Sequence, residues 1–186
     1  MRTHRDLLLP ELIRQIEEIQ TNKKISFNGK KVLEIGQGND TQIRLELEKF
    51  GLIYTATDTL VGNNNMFAKL KGEEYHNNAM EDLSDFKNDT FDLVVSVHSF
   101  EHTKNPFKVL EEIRKVLKPG GIVLIVTPYH CKHHVLDSDP DHYFVLTELQ
   151  FIRLLASTGY NIVNSNVKKD WTEREQDWNV FSIGEK

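Results

Sequence analysis

Apolar positions along the chain follow two periods, and the switches between them mark out the elements. Near the start, Leu8, Leu12, Ile16 and Ile19 recur every three or four residues, which places them on one face of a helix. From Lys31 the pattern changes to short β-rich runs separated by helical stretches. Lys31 to Ile35 predicts a first strand, followed by a glycine-containing turn and a helix from about Thr41 to Phe50 that stops at Gly51. Ile53 to Thr57 predicts a second strand, and Glu74 to Asn77 a short third. Phe91 to Val97, FDLVVSV, is a nearly continuous apolar run of the kind a strand buried on both faces requires, and it predicts the centre of the sheet.

Pro106 suits the first turn of a helix, and Phe107, Leu110, Ile113 and Leu117 follow at helical spacing until Lys118-Pro119-Gly120-Gly121 ends it. Ile122 to Thr127 predicts a fifth strand. Thr147 and Gln150 form a capping-box pair for a helix to about Ser157, closed by Gly159, and Tyr160 to Val167 and Trp178 to Ile183 predict two last strands. Strands alternating with helices in this way predict an α/β domain with helices on both faces of a parallel sheet. Residues 129 to 145, YHCKHHVLDSDPDHYFV, have no usable period and predict a long polar loop, a type of segment that in compact domains is usually functional or mobile.

Composition narrows the class. With 186 residues, 39% hydrophobic and 27% charged, the chain fits one domain with one core, stable without disulfides or a structural metal. Its 23 basic and 28 acidic residues give a formal charge of −5, and no basic stripe is present, which argues against a nucleic-acid partner. The start, MRTHRDLLLPELIRQIEEIQ, carries charges and a proline where a signal peptide needs an apolar run, and no stretch approaches the ~20 apolar residues that span a bilayer. Together with a single cysteine, Cys131, this predicts a cytoplasmic protein without membrane partners. The sequence leaves the oligomeric state open.

The segment richest in chemistry is VLEIGQGND, Val32 to Asp40, where a buried strand runs into Gly36-Gln37-Gly38 at the mouth of a helix. Glycines there let backbone approach a ligand closely, although such turns also occur purely for structure. Asp58 stands twenty residues after Gly38 at the end of the second strand, where a carboxylate can accept both hydroxyl protons of a ribose. A dinucleotide would favour a third glycine at position 41, which is Thr41, so the turn suits an adenosine ligand without a pyrophosphate.

With these residues in order, the sequence resembles the class I S-adenosylmethionine-dependent methyltransferases from about residue 30 to the end. VLEIGQG is similar to the family's first motif, with Glu34, Gly36 and Gly38 in place, and Asp58 to its ribose-binding acid. NNAMEDL resembles the adenine-contacting segment, and FDLVVSVHSFEH followed by VLEEIRKVLKPGG resembles the fourth strand, helix and turn. The resemblance implies a Rossmann-like, doubly wound sheet of about seven strands, mostly parallel with an antiparallel last strand. It implies S-adenosyl-L-methionine as cofactor, held by Glu34, Gly36, Gln37, Gly38, Asp58, Thr59, Asn78, Ala79, Met80, Ser96 and Val97. It also implies one domain divided into an N-terminal helical segment (1–29), a cofactor-binding half (30–128), a substrate-side loop (129–145) and a C-terminal helix with a strand pair (146–186). Two positions depart from the pattern. Asp40 replaces a frequent glycine, where it can cap the next helix or pair with the cofactor's ammonium group, and Asn78 replaces an aspartate, though its amide oxygen can still accept from adenine.

On the acceptor side, His98, Glu101 and His102 follow the fourth strand. His98 is the expected general base, whereas His102 fits better a packing role at a helix start. In the long loop, Tyr129, His130, His133, His134, Asp137, Asp139, Asp141, His142 and Tyr143 predict a lid over a small-molecule acceptor, with His142 and Tyr143 placed where the loop rejoins the fold. Their spacing matches no metal signature, so no metal is expected. Two other readings stand beside the enzyme: a non-catalytic methyltransferase-like scaffold, supported by Asp40 and Asn78, and an NAD-linked oxidoreductase, disfavoured by Thr41 and the Lys118 to Gly121 turn.

Overall fold

A computed structural model describes residues 4–38, 41–59, 75–76, 78–128, 141–169 and 178–186. Helix α1 (His4–Lys23) is followed by β1 (Lys31–Ile35), α2 (Gln42–Lys49), β2 (Ile53–Thr57), the short β3 (Tyr75–His76) and β4 (Phe91–Val97). A 3₁₀ turn (Phe100–His102) leads to α3 (Pro106–Val116), β5 (Leu117–Pro128), α4 (Glu148–Ser157), β6 (Asn161–Lys169) and β7 (Trp178–Glu185). The seven strands form one sheet in the order β3-β2-β1-β4-β5-β7-β6. Pairing is parallel from β3 to β5, and β7 runs antiparallel between β5 and β6. This is the doubly wound sheet with an antiparallel last strand that the sequence predicts.

The strand order puts β1 and β4 at the centre, and their residues alternate between two cores. Val32, Leu93, Val95 and Val97 face α1 and α2, where Leu8, Leu12, Ile16, Ile19, Ile43 and Leu47 bury their side chains. Leu33, Ile35 and Val94 face α3 and α4 with Val109, Leu110, Ile113, Phe151 and Leu155. The N-terminal stripe therefore belongs to the main core, and Leu12, Ile16 and Ile19 are each no more than 2% exposed. The capping box read from sequence forms, with Thr147 and Gln150 at the start of α4, and Asn105 Oδ1 accepts from Lys108 N ahead of Pro106 and α3.

Boundaries differ where tertiary pairing overrides local pattern. Leu117, expected as the last helical position, takes extended backbone angles and pairs with Phe91, so β5 starts before the Lys118 to Gly121 turn. Asp92 anchors this turn by accepting from Lys118 Nζ at 2.7 Å and from Lys31 N at 3.0 Å. Burial works against the Asp92 charge, but these bonds and the neighbouring lysines outweigh it and hold the carboxyl below its ordinary range. β6 and β7 each run two residues beyond the predicted end; of the predicted third strand, Tyr75–His76 form β3, and Glu74 and Asn77 lie outside the described residues. Asp40 and most of the polar loop, 129–140, lie outside the described residues.

Glu112 makes a similar anchor on α3. Burial again opposes its charge, yet Lys108 Nζ and Lys115 Nζ at 2.6 Å each, with the Leu83 N–H, hold its pKa below the ordinary 4.5. A depressed carboxylate contributes stability that is present above its unfolded value and lost as pH falls through the lower folded one. Glu112→Gln is therefore expected to flatten the loss of stability below about pH 4.5, measured by denaturant melts across a pH series. An unchanged slope would assign the acid sensitivity to other carboxylates.

Candidate functional site

Parallel strands with the order 3-2-1-4-5 leave a crevice over their carboxyl ends where the connections diverge from β1 and β4. Backbone hydrogen bonds stitch the ends of β1, β2 and β3 together: Gly36 N–H donates to Thr57 O at 2.8 Å and Asp58 N–H to His76 O at 3.2 Å. Gly38 N–H then donates to Asp58 Oδ2 at 2.6 Å, so the glycine turn and the predicted ribose acid are one unit. Thr57 Oγ1 donates to Asn78 O at 3.0 Å and accepts from Asn78 N at 3.3 Å, which holds Asn78 beside Asp58. The sequence reading passed over Thr57, because a threonine ending a strand is unremarkable until its partner is known.

Gly36 takes φ +74°, and a Cβ there would lie 2.2 Å from Ser99 Cβ. Only glycine combines that backbone angle with this approach. Ser99 in turn donates from Oγ to Ile35 O at 2.8 Å and pairs with Ser96 Oγ at 2.7 Å, so the turn after β1 is locked against the segment after β4.

The other predicted cofactor residues divide. Gly36, Gln37, Gly38, Asp58, Thr59, Asn78, Ala79 and Met80 all follow the carboxyl ends of β1, β2 and β3. Glu34 instead sits within β1 and accepts from Tyr54 Oη at 2.5 Å; Tyr54 is packed among the residues of the α1 and α2 side. Burial first, then the Glu34 charge, pushes the Tyr54 hydroxyl up, which keeps it protonated as the donor. Ser96 is held by Ser99, and Val97 packs in the core facing α1 and α2. Asn78 Oδ1 is buried and has no hydrogen-bond partner among the described residues. A buried acceptor in that state is satisfied by a ligand donor such as the amino group of adenine, so this edge fits an adenosine-containing ligand on its own chemistry.

His98 follows β4 directly, with its N–H donating to Val126 O at 2.9 Å and its backbone at φ +51°, an angle unusual for a residue with a side chain. His98 Nε2 lies 2.7 Å from Asn179 Oδ1 on β7. The other ring nitrogen, Nδ1, faces Glu101 Oε1 at 3.8 Å. Glu101 is 1% exposed. His142 Nε2 lies 3.9 Å from the same Glu101 oxygen, and the His142 ring stacks edge-on with His102 at 4.7 Å. Tyr143 N–H donates to Glu101 O at 2.9 Å, while the Tyr143 ring, 53% exposed, lies 5.1 Å from Lys104 Nζ. The structure thus gathers His98 and His142 around Glu101 and joins Tyr143 to it through backbone. Asn179 is the group the sequence reading missed, since it lies on the last strand and meets His98 only through the antiparallel β5 and β7 pairing.

Fold and edge together define a doubly wound domain whose sheet edge fits an adenosine-type ligand and which gathers histidines beside that edge. A family model described as a methyltransferase domain matches residues 1–165, and the chain belongs to that family. Among named relatives, it is 30% identical over 112 residues to the ubiquinone biosynthesis O-methyltransferase of Xylella fastidiosa strain M23, a match covering 57% of this chain and 45% of the relative. The chain therefore matches less than half the length of that relative. Among solved structures, the fold is similar to the 1,6-didemethyltoxoflavin-N1-methyltransferase of Burkholderia thailandensis bound to 1,6-didemethyltoxoflavin and S-adenosylhomocysteine, with a TM-score of 0.72, 17% identity and coverage of 91% of this chain and 75% of that one. It is also similar to an S-adenosylmethionine-dependent methyltransferase of Methanosarcina mazei, with a TM-score of 0.70, 19% identity and coverage of 89% and 96%. Among the described residues, no helix is long and apolar enough to cross a membrane.

Proposed function

We propose that this chain is an S-adenosyl-L-methionine-dependent methyltransferase that moves a methyl group to a small or medium-sized polar acceptor by in-line displacement. Bound at this edge, the cofactor would supply an electrophilic methyl group on a sulfonium. The Gly36 to Gly38 backbone would lie against it, Asp58 would accept from the ribose hydroxyls and Asn78 Oδ1 from the adenine amino group. The negative charge of Asp58 also favours a cationic ligand. Family membership supports the reaction class, and the observation that carries the cofactor assignment is the Gly38 to Asp58 bond at 2.6 Å beside Asn78 Oδ1, which has no hydrogen-bond partner among the described residues.

The departing thioether is neutral, so this chain has no leaving group to protonate. Its work is to align the acceptor, keep water out and receive a proton when the acceptor is an acid. His98 stands at the end of the central strand with its ring fixed by Asn179, next to Glu101. His142 and Tyr143 would border the acceptor from the returning loop.

Calorimetric titration with S-adenosyl-L-methionine tests the cofactor half of this reading. Saturable binding supports it, and absence of binding at high micromolar concentration overturns it in favour of a scaffold. With an acceptor in hand, His98→Ala is expected to lower kcat by roughly 10²-fold or more, the usual contribution of a positioned base, with cofactor affinity retained. Normal turnover in that variant would remove His98 from the chemistry.

A further inference from the structure

Three side chains near the acceptor side carry more than the proposed methyl transfer needs. Glu101 and His102 lie on the 3₁₀ turn after β4, and His142 lies on the segment returning to α4. A carboxylate oxygen of Glu101 and one ring nitrogen from each histidine all lie within 4.8 Å of one another. We propose that Glu101, His102 and His142 bind one divalent transition-metal cation of the zinc type.

The donor set is the first reason. Two imidazoles with one carboxylate form a ligand set that zinc uses in sites with an open position, and it is poor in the several oxygens that calcium or magnesium would demand. Zinc bonds of roughly 2.0–2.2 Å place tetrahedral donor atoms about 3.5 Å apart. The 3.9 Å between Glu101 Oε1 and His142 Nε2 is already near that value, so side-chain adjustments of about an ångström would complete the set.

Charge and orientation are the second reason. Glu101 is 1% exposed, and a bound cation offsets the charge of a buried carboxylate. His102 Nδ1 lies 3.0 Å from Asp141 O. A carbonyl only accepts, so Nδ1 carries the proton and the Nε2 lone pair remains for a ligand; a backbone carbonyl on the second nitrogen is the usual anchor of metal-bound histidines. The Tyr143 N–H to Glu101 O bond fixes the two segments to each other independently of the side chains. The ligands come from positions 40 residues apart, which is why their spacing shows no metal motif.

Three protein ligands leave coordination positions for water or, if the methyl-transfer reading holds, for an oxygen of the acceptor. The site itself does not depend on that reading, and the test separates them. Metal-stripped protein is titrated calorimetrically with ZnCl₂ in the absence of S-adenosyl-L-methionine, and with Co²⁺ followed by its visible spectrum. One tight equivalent is expected. Glu101→Gln, His102→Ala and His142→Ala should each weaken it by at least the roughly tenfold that changes around a metal site typically cost, and should alter the Co²⁺ bands. His102 is exposed, so His102→Ala should keep the fold, shown by an unchanged circular dichroism spectrum, even if the buried Glu101→Gln does not. No zinc binding, or binding unchanged in His102→Ala, overturns the proposal. A parallel titration with S-adenosyl-L-methionine reports on the cofactor reading alone, so one can fail while the other stands.

Discussion

Replacing Asp58 with alanine is expected to weaken S-adenosyl-L-methionine binding by more than tenfold. The carboxylate follows β2 at the carboxyl edge of the sheet and takes the Gly38 N–H at 2.6 Å, and the two oxygens of a carboxylate can accept several hydrogen bonds. Hydrogen bonds to a charged group contribute about 1.5–3 kcal/mol each, and about 1.4 kcal/mol is a factor of ten. Loss of even one ribose bond therefore predicts roughly a 10- to 100-fold change, read by calorimetry with the cofactor and with S-adenosylhomocysteine. Asp58→Asn keeps an acceptor but loses the charge, so its affinity should fall between the two. Equal affinity in wild type and Asp58→Ala would mean that the ribose does not sit at the end of β2.

The sequence exposes the donor side of the site because its residues are local to strand ends. A buried run such as FDLVVSV, glycines after β1 and an acid after β2 are each readable within a few positions, and parallel pairing then aligns all the strand ends without further information. The acceptor side depends on contacts far apart in the chain. His98 meets Asn179 across 81 positions, and Glu101 meets His142 through a returning loop, so neither pairing leaves a periodic trace. Glu34 shows the opposite limit. Its place in a familiar motif implies a ligand contact, but alternation along β1 turns its side chain to Tyr54. Leu117 shows that helical spacing can persist into a residue whose backbone belongs to a strand, because pairing with Phe91 outweighs local preference.

The contact that joins the two sides is Gly36 against Ser99, and Gly36→Ala is expected to cost about 2–5 kcal/mol of stability. Alanine at φ +74° carries about 1–2 kcal/mol of left-handed strain, and its Cβ would stand 2.2 Å from Ser99 Cβ, an overpacking worth about 1–3 kcal/mol. For a chain of this length each kcal/mol lowers Tm by roughly 2–4 °C, so a fall of roughly 5–15 °C should appear in thermal melts. The Ser99 background separates the two causes. Ser99→Gly removes the obstructing Cβ, so adding Gly36→Ala there should cost only the backbone part, whereas Ser99→Ala keeps the Cβ and should give no relief. A coupling of about 1–3 kcal/mol in the first cycle and near zero in the second identifies the close approach as the determinant. Equal costs in both backgrounds would leave backbone strain alone as the reason for glycine. Because Ser99 stands between His98 and Glu101 in the chain, the same approach sets how far the histidines lie from the glycine turn. Cofactor affinity and acceptor-side geometry should then change together in Gly36→Ala, and Ser99→Gly should restore both in part.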